Sequence, residues 1–140
     1  MNVSLTLQPT HGKADGAVVV KPYQSVNWPT LWQLRANQLA EQGITVDAND
    51  IVPSCPDLNS PYKHDYHRIE QVYLSGKGNF WISWITAQPV GHIGAQDFGD
   101  DIELRRLHVR NAFRSVGIGT QLVSALLAHS RAHDVRLIKL

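Results

Sequence analysis

The chain has 140 residues, 43% hydrophobic and 18% charged, with a net charge of +1. That length fits one domain able to bury roughly two thirds of its unfolded surface, and the composition is globular rather than disordered. The near-zero charge argues against a nucleic-acid or anionic-membrane partner, the lone Cys55 excludes an internal disulfide, and no stretch reaches the ~20 apolar residues that span a bilayer.

Residues 1–16 alternate Val3, Leu5 and Leu7 and then turn polar. They lack the basic, apolar pattern of a secretory leader, so a reducing, cytoplasmic setting is expected. They are read as an extension or an extra strand. Ala17 to Lys21 is β-branched and predicts a first strand. Asn27 or Trp28, followed by Pro29, predicts a helix start. Trp28, Trp32, Ala36, Leu39 and Ala40 keep helical spacing until Gly43 stops the run. Residues 47–61 are rich in Asp, Asn, Pro and Ser and form the longest loop signal. Tyr62, Tyr66, Ile69 and Tyr73 predict a second helix, closed by Ser75-Gly76-Lys77-Gly78.

The period then changes to that of strands. Asn79–Thr86, Val90–Phe98 and Ile102–Val109 predict an antiparallel meander, with turns at Gln88-Pro89 and Gly99-Asp100-Asp101. The aromatics Trp81, Trp84, Tyr66 and Tyr73 are expected in the core. In the third strand Ile102 and Leu104 share one parity and Leu107 and Val109 the other. A β-bulge at Arg105-Arg106 would repair that slip; the alternative is a strand buried on opposite faces at its two ends. A helix from Ile118 carries Leu122, Ala125, Leu126 and His129 on one face. Val135–Leu140 predicts a strand parallel to its predecessor.

Between the strand Ile102–Val109 and the helix, running into its first turn, lies Arg114-Ser115-Val116-Gly117-Ile118-Gly119. A helix start presents unpaired amides and a positive dipole end. Glycine lets the backbone curl and lets a ligand approach, and Arg114 adds a fixed charge. Together they suit a diphosphate. The bland alternative is two glycines present for packing. No Gly-Lys-Ser/Thr follows, so a P-loop fits poorly, and the third glycine of a dinucleotide fingerprint is missing.

The segment from Ile102 to Val123, with its Leu107-x-Val109 strand end, short connector and Arg114-x-x-Gly117-x-Gly119 loop, resembles the acetyl-CoA-binding segment of the GNAT acetyltransferase superfamily. The resemblance extends to the meander from Phe80 and to the helix start at Asn27-Trp28-Pro29, over residues 17–140. It implies an α/β fold with a mixed, splayed sheet, in which the antiparallel meander leads into a β-loop-α-β crossover, and residues 1–140 as a single domain. It also implies acetyl-CoA as co-substrate, its pantetheine arm along Leu107, His108 and Val109, and its pyrophosphate on Arg114, Ser115, Val116, Gly117, Ile118, Gly119 and Thr120. The implied activity is acetyl transfer to a primary amine of a small molecule or protein by direct attack on the thioester.

Glu103, four residues before Leu107, is the candidate general base. A surface strand residue paired with Arg105 is its alternative. His108 and His92 are weaker proton carriers. His64-x-x-His67 has too few ligands for a metal, so none is expected. Asp97, Asp100 and Asp101 read as turn residues. Asn111 and Ser115 stand where the family often has proline and glycine. The family fold continues beyond the fifth strand, where a tyrosine often protonates the thiolate, so that C-terminal part is expected to be absent. The open sheet edge would then need residues 1–8 or a second copy, in a homodimer, to cover it. A non-catalytic acyl-CoA-binding or sensor domain is the alternative function.

Overall fold

The computed structural model describes residues 17–44 and 65–140. The readings of residues 1–16, of the loop at 47–61 and of Tyr62 and His64 lie outside these residues.

Five strands form one sheet in the order β1-β2-β3-β4-β5. They are β1 (Val18–Pro22), β2 (Asn79–Ile85), β3 (Gln88–Asp97), β4 (Asp101–Val109) and β5 (Leu137–Lys139). The first three pairings are antiparallel and β4–β5 is parallel. The helices are α1 (Trp28–Glu41), α2 (Ile69–Tyr73) and α3 (Ile118–Ala132). The expected meander and the parallel crossover are both present.

Alternation of side chains along each strand separates two cores. On one face Val18, Val20, Trp81, Val90, Ile93, Ala95 and Ile102 pack against Ile118, Leu122, Ala125 and Leu126 of α3. On the other, Phe80 and Ile82 meet Leu31, Trp32 and Leu34 of α1 and Tyr66, Ile69 and Tyr73 from the α2 region. Tyr66, Tyr73 and Trp81 are buried, and Trp84 packs on the second core, as the sequence led us to expect.

Asn27 is the residue before α1, Pro29 lies in its first turn, and Gly43 with φ +80° follows its end. The first turn of the meander is elsewhere than expected. Thr86-Ala87 make it, and Gln88-Pro89 open β3 opposite Ile85 and Trp84. Proline is tolerated there because it stands at the strand start, beside the register shift between Ser83 and Trp84, and beyond the last β4 partner at Gly91. Asp97 does cap local backbone, accepting from Lys77 N and Gly99 N at 2.7 Å each. Asp101, by contrast, belongs to β4 and pairs with Lys139 at 3.1 Å.

The slip in β4 is a bulge. His92 faces His108 but Gly94 faces Arg105, so β4 carries one extra residue between them. Arg106 adopts φ +57° there. Ile102, Leu104 and Val109 therefore all reach the α3 core despite their mismatched spacing. The alternative of opposite burial at the two strand ends is excluded.

Candidate functional site

Among the described residues β4 pairs with β5 only from Asp101 to Glu103. Its outer edge from Leu104 to Val109 is left open on that side. Beyond Val109 the connector is short and tied down. Arg110 N donates to Val90 O, Asn111–Phe113 form a 3-10 turn, and the Phe113 ring is buried against the α3 core. Arg114 Nε donates to Val109 O at 2.9 Å, which fixes the loop to the end of β4.

The loop then bends through two left-handed residues, Ser115 at φ +68° and Gly117 at φ +89°. Gly117 precedes α3, and its carbonyl accepts the first helical bond from Gln121 N at 3.1 Å. Among the described residues no side chain caps this helix. The amides of Ile118, Gly119 and Thr120 are thus the donors that a helix start leaves without a partner. A Cβ on Gly119 would meet only Val109 Cγ2, at 3.9 Å. Packing does not demand glycine at that position.

A cavity of about 570 Å³ opens here. Leu107, His108, Val109, Arg114, Ser115, Gly117, Ile118, Gly119 and Thr120 line it, joined by Phe113. Val116 is turned to the α3 core and Glu103 is outside the lining. Glu103 is half-buried on β4, between Gln96 and Lys139 on the flanking strands. Its expected neighbour Arg105 instead donates to Gln96 Oε1 at 2.6 Å.

The far wall is Gln38 of α1 and Gln42, the residue just past its end. Sequence reasoning missed both, because polar residues on a helix face read as solvated. Glu41 between them accepts from Asn111 N at 3.0 Å, tethering α1 to the connector. Its other oxygen lies 3.9 Å from His108 Nε2, too far for a hydrogen bond. His108 is buried, and its Nε2 has no hydrogen-bond partner among the described residues. Burial pushes its pKa down to about 4, with Glu41 opposing, so the ring is neutral near pH 7.

His92 is fully buried on the α1/α2 face and is outside the lining of the cavity. Nδ1 is 2.7 Å from Arg106 O and Nε2 is 3.4 Å from the Tyr66 hydroxyl. The carbonyl can only accept, so Nδ1 carries the proton and Nε2 accepts from Tyr66. Burial, then the neighbouring His108, lowers this histidine to about 3. No cluster of three or more metal-ligating side chains occurs among the described residues, and none of their helices is long and apolar enough to cross a membrane.

An open, mostly antiparallel sheet with a glycine-bent helix start beside an open strand edge defines an α/β domain with a cleft at the start of its last long helix. The chain belongs to the acetyltransferase (GNAT) family, whose sequence model matches residues 46–140. No curated protein matches it. Among solved structures it is similar to a GNAT-family acetyltransferase from Staphylococcus aureus Mu50, with 20% identity, 87% of this chain and 72% of that one covered, and a TM-score of 0.68. It is also similar to an acetyltransferase from Clostridium acetobutylicum solved with acetyl-CoA, at 14% identity, 86% and 78% coverage and TM-score 0.61. A third is the PaiA N-acetyltransferase of Thermoplasma acidophilum in complex with coenzyme A, at 15% identity, 84% and 74% coverage and TM-score 0.61. At these identities the likeness establishes the fold.

Proposed function

We propose that this domain transfers the acetyl group of acetyl-CoA to a primary amine of a small molecule or protein. The observation that carries the reading is the uncapped start of α3 beside the open edge of β4, around one cavity. The residues present fit the co-substrate. The amides from Ser115 to Thr120 and the charge of Arg114 suit its pyrophosphate. Gly119 leaves room that a side chain would narrow, without being required by packing. The main chain of Leu107 and Val109, on the unpaired edge, suits the amide groups of a pantetheine arm. Acetyl-CoA would supply an activated acyl thioester.

In this reading the chain's own groups hold the acyl donor and manage the proton. His108, neutral and beside Leu107 and Val109, adds no charge to repel a cationic amine. Glu103 is the proposed base, taking the ammonium proton through water so that the free amine can attack. We read residues 1–140 as one domain acting in a reducing, cytoplasmic setting, with homodimerisation as the proposed cover for the sheet edge.

One observation favours a second reading. Glu103 lies outside the cavity lining, as it would in a domain that binds acyl-CoA without turning it over. Release of coenzyme A thiol from acetyl-CoA in the presence of an amine panel separates the two. Amine-dependent release is expected. Glu103→Gln is expected to lower kcat about 10²-fold with acetyl-CoA affinity retained. Binding without release for every amine would support the sensor, and no binding at all would reject both.

A further inference from the structure

The bulge in β4 rests on Arg106, which holds φ +57°. That left-handed region disfavours a bulky side chain, and glycine is the usual residue where a bulge needs it. Arginine stands here instead, and its side chain is held by Asp65 and Tyr66. Its Nε donates to Asp65 Oδ2 at 2.8 Å and its Nη2 to Asp65 Oδ1 at 2.6 Å. Its guanidinium lies 4.9 Å from the Tyr66 ring centroid, and Arg35 lies 4.8 Å from the same ring. Its carbonyl accepts from His92 Nδ1. Asp65 is buried and also accepts from the Tyr73 hydroxyl.

The bulge has a consequence for the cavity. Without the extra residue, every side chain beyond it would change face. Val109 would leave the α3 core, and His108 would turn into it. The strand end that lines the cavity would be lost.

Resting on the acetyl-CoA reading above, we propose that Asp65 is a positioning residue for the acyl-donor site. Its two-point pairing with Arg106 holds the left-handed bulge, and so sets the register in which Leu107, His108 and Val109 meet the cavity. Asp65 touches neither the cavity nor any reacting atom. It acts through the backbone of Arg106, 41 residues along the chain.

The test compares variants in which the ion pair and the backbone preference are separated. Acetyl-CoA affinity is measured by calorimetry on the full chain, at a temperature where circular dichroism shows each variant folded. Arg106→Ala and Arg106→Gly lose the same guanidinium, but only glycine accepts φ +57° freely. The alanine variant is expected to bind on the order of tenfold more weakly than the glycine variant. Asp65→Asn is expected to lose affinity by a similar factor, and adding Arg106→Gly to it should restore most of that loss. A merely structural ion pair would give no such rescue, because the double variant has fewer contacts still. Equal binding by the alanine and glycine variants, or no rescue in the double variant, overturns the proposal. Should Asp65→Asn fail to fold, the pair at position 106 decides alone. Failure of the unaltered chain to bind acetyl-CoA would instead reject the reading of the cavity, and the positioning role with it.

Discussion

On the α1/α2 face of the sheet, one cluster of buried polar groups closes on itself; at the start of α3, beside the cavity, donors are left open. The first region holds Asp65, Arg106, Tyr73, Tyr66 and His92, linked by hydrogen bonds and ring contacts. The second has a helix start that no side chain caps among the described residues, and a glycine that packing does not require. A buried polar group without a partner costs about 1–3 kcal/mol, so networks inside a protein tend to close. Open donors persist where water or a ligand supplies the partner. In the roles proposed above, the closed cluster shapes the strand and the open donors hold the acyl donor.

Removing one member of the closed cluster should have the largest effect. Asp65→Ala leaves the Arg106 guanidinium without its partner, and about 3 kcal/mol of stability should be lost, read from the urea midpoint at constant m-value. A change under about 0.5 kcal/mol, the range of ordinary surface substitutions, would mean that the pair is surface decoration.

Acidification tests the same region next. His92 and His108 are held near 3 and 4, both below their ordinary 6.5. Both are neutral when folded, whereas the unfolded chain takes up their protons below about pH 6.5. Stability is thus complete above 6.5 and falls as pH drops towards 4 and then 3. Between pH 7.5 and 5 the loss should be about 2 kcal/mol for each histidine, about 4 kcal/mol for the two, visible as a falling denaturation midpoint. Asp65 contributes nothing in that window. Burial pushes its carboxyl up, but the hydrogen bonds from Arg106 and Tyr73 outweigh this and hold it below 3.8. A midpoint that does not move down to pH 5 would break the account of the histidines.

The open region should respond in the opposite sense. Gly119→Ala adds a methyl group that the protein accommodates, at a helical position where alanine is better than glycine by up to about 1 kcal/mol. Stability should hold or rise while acetyl-CoA affinity falls, on the order of tenfold or about 1.4 kcal/mol. Loss of stability together with unchanged affinity would reverse the contrast between the two regions.

Much of the fold could be read from local pattern. The helical stripe of α3, the β-branched and aromatic run of β2 and the glycines flanking Ile118 each show their element directly. So did the parity slip between Leu104 and Leu107, which is visible only because both halves of β4 face apolar cores. Gln88-Pro89 misled, because proline marks a strand start as well as a turn. Gln38 and Gln42 carried no signal: which strand end a helix tip covers is not written in its own residues. His92 read as a weak site candidate because an isolated histidine does not declare whether it will be buried.

The order of strands and helices, the parity slip in β4 and the glycine-bent helix start were determined by the sequence alone, since periodicity and backbone preference act over a few neighbouring residues. The tertiary structure decided which side chains share a space. It brought Gln42 to the cavity, put Asp65 on Arg106, and set Glu103 between Gln96 and Lys139. Such contacts join residues tens of positions apart, and they are selected by the packing of whole elements, which no local pattern records.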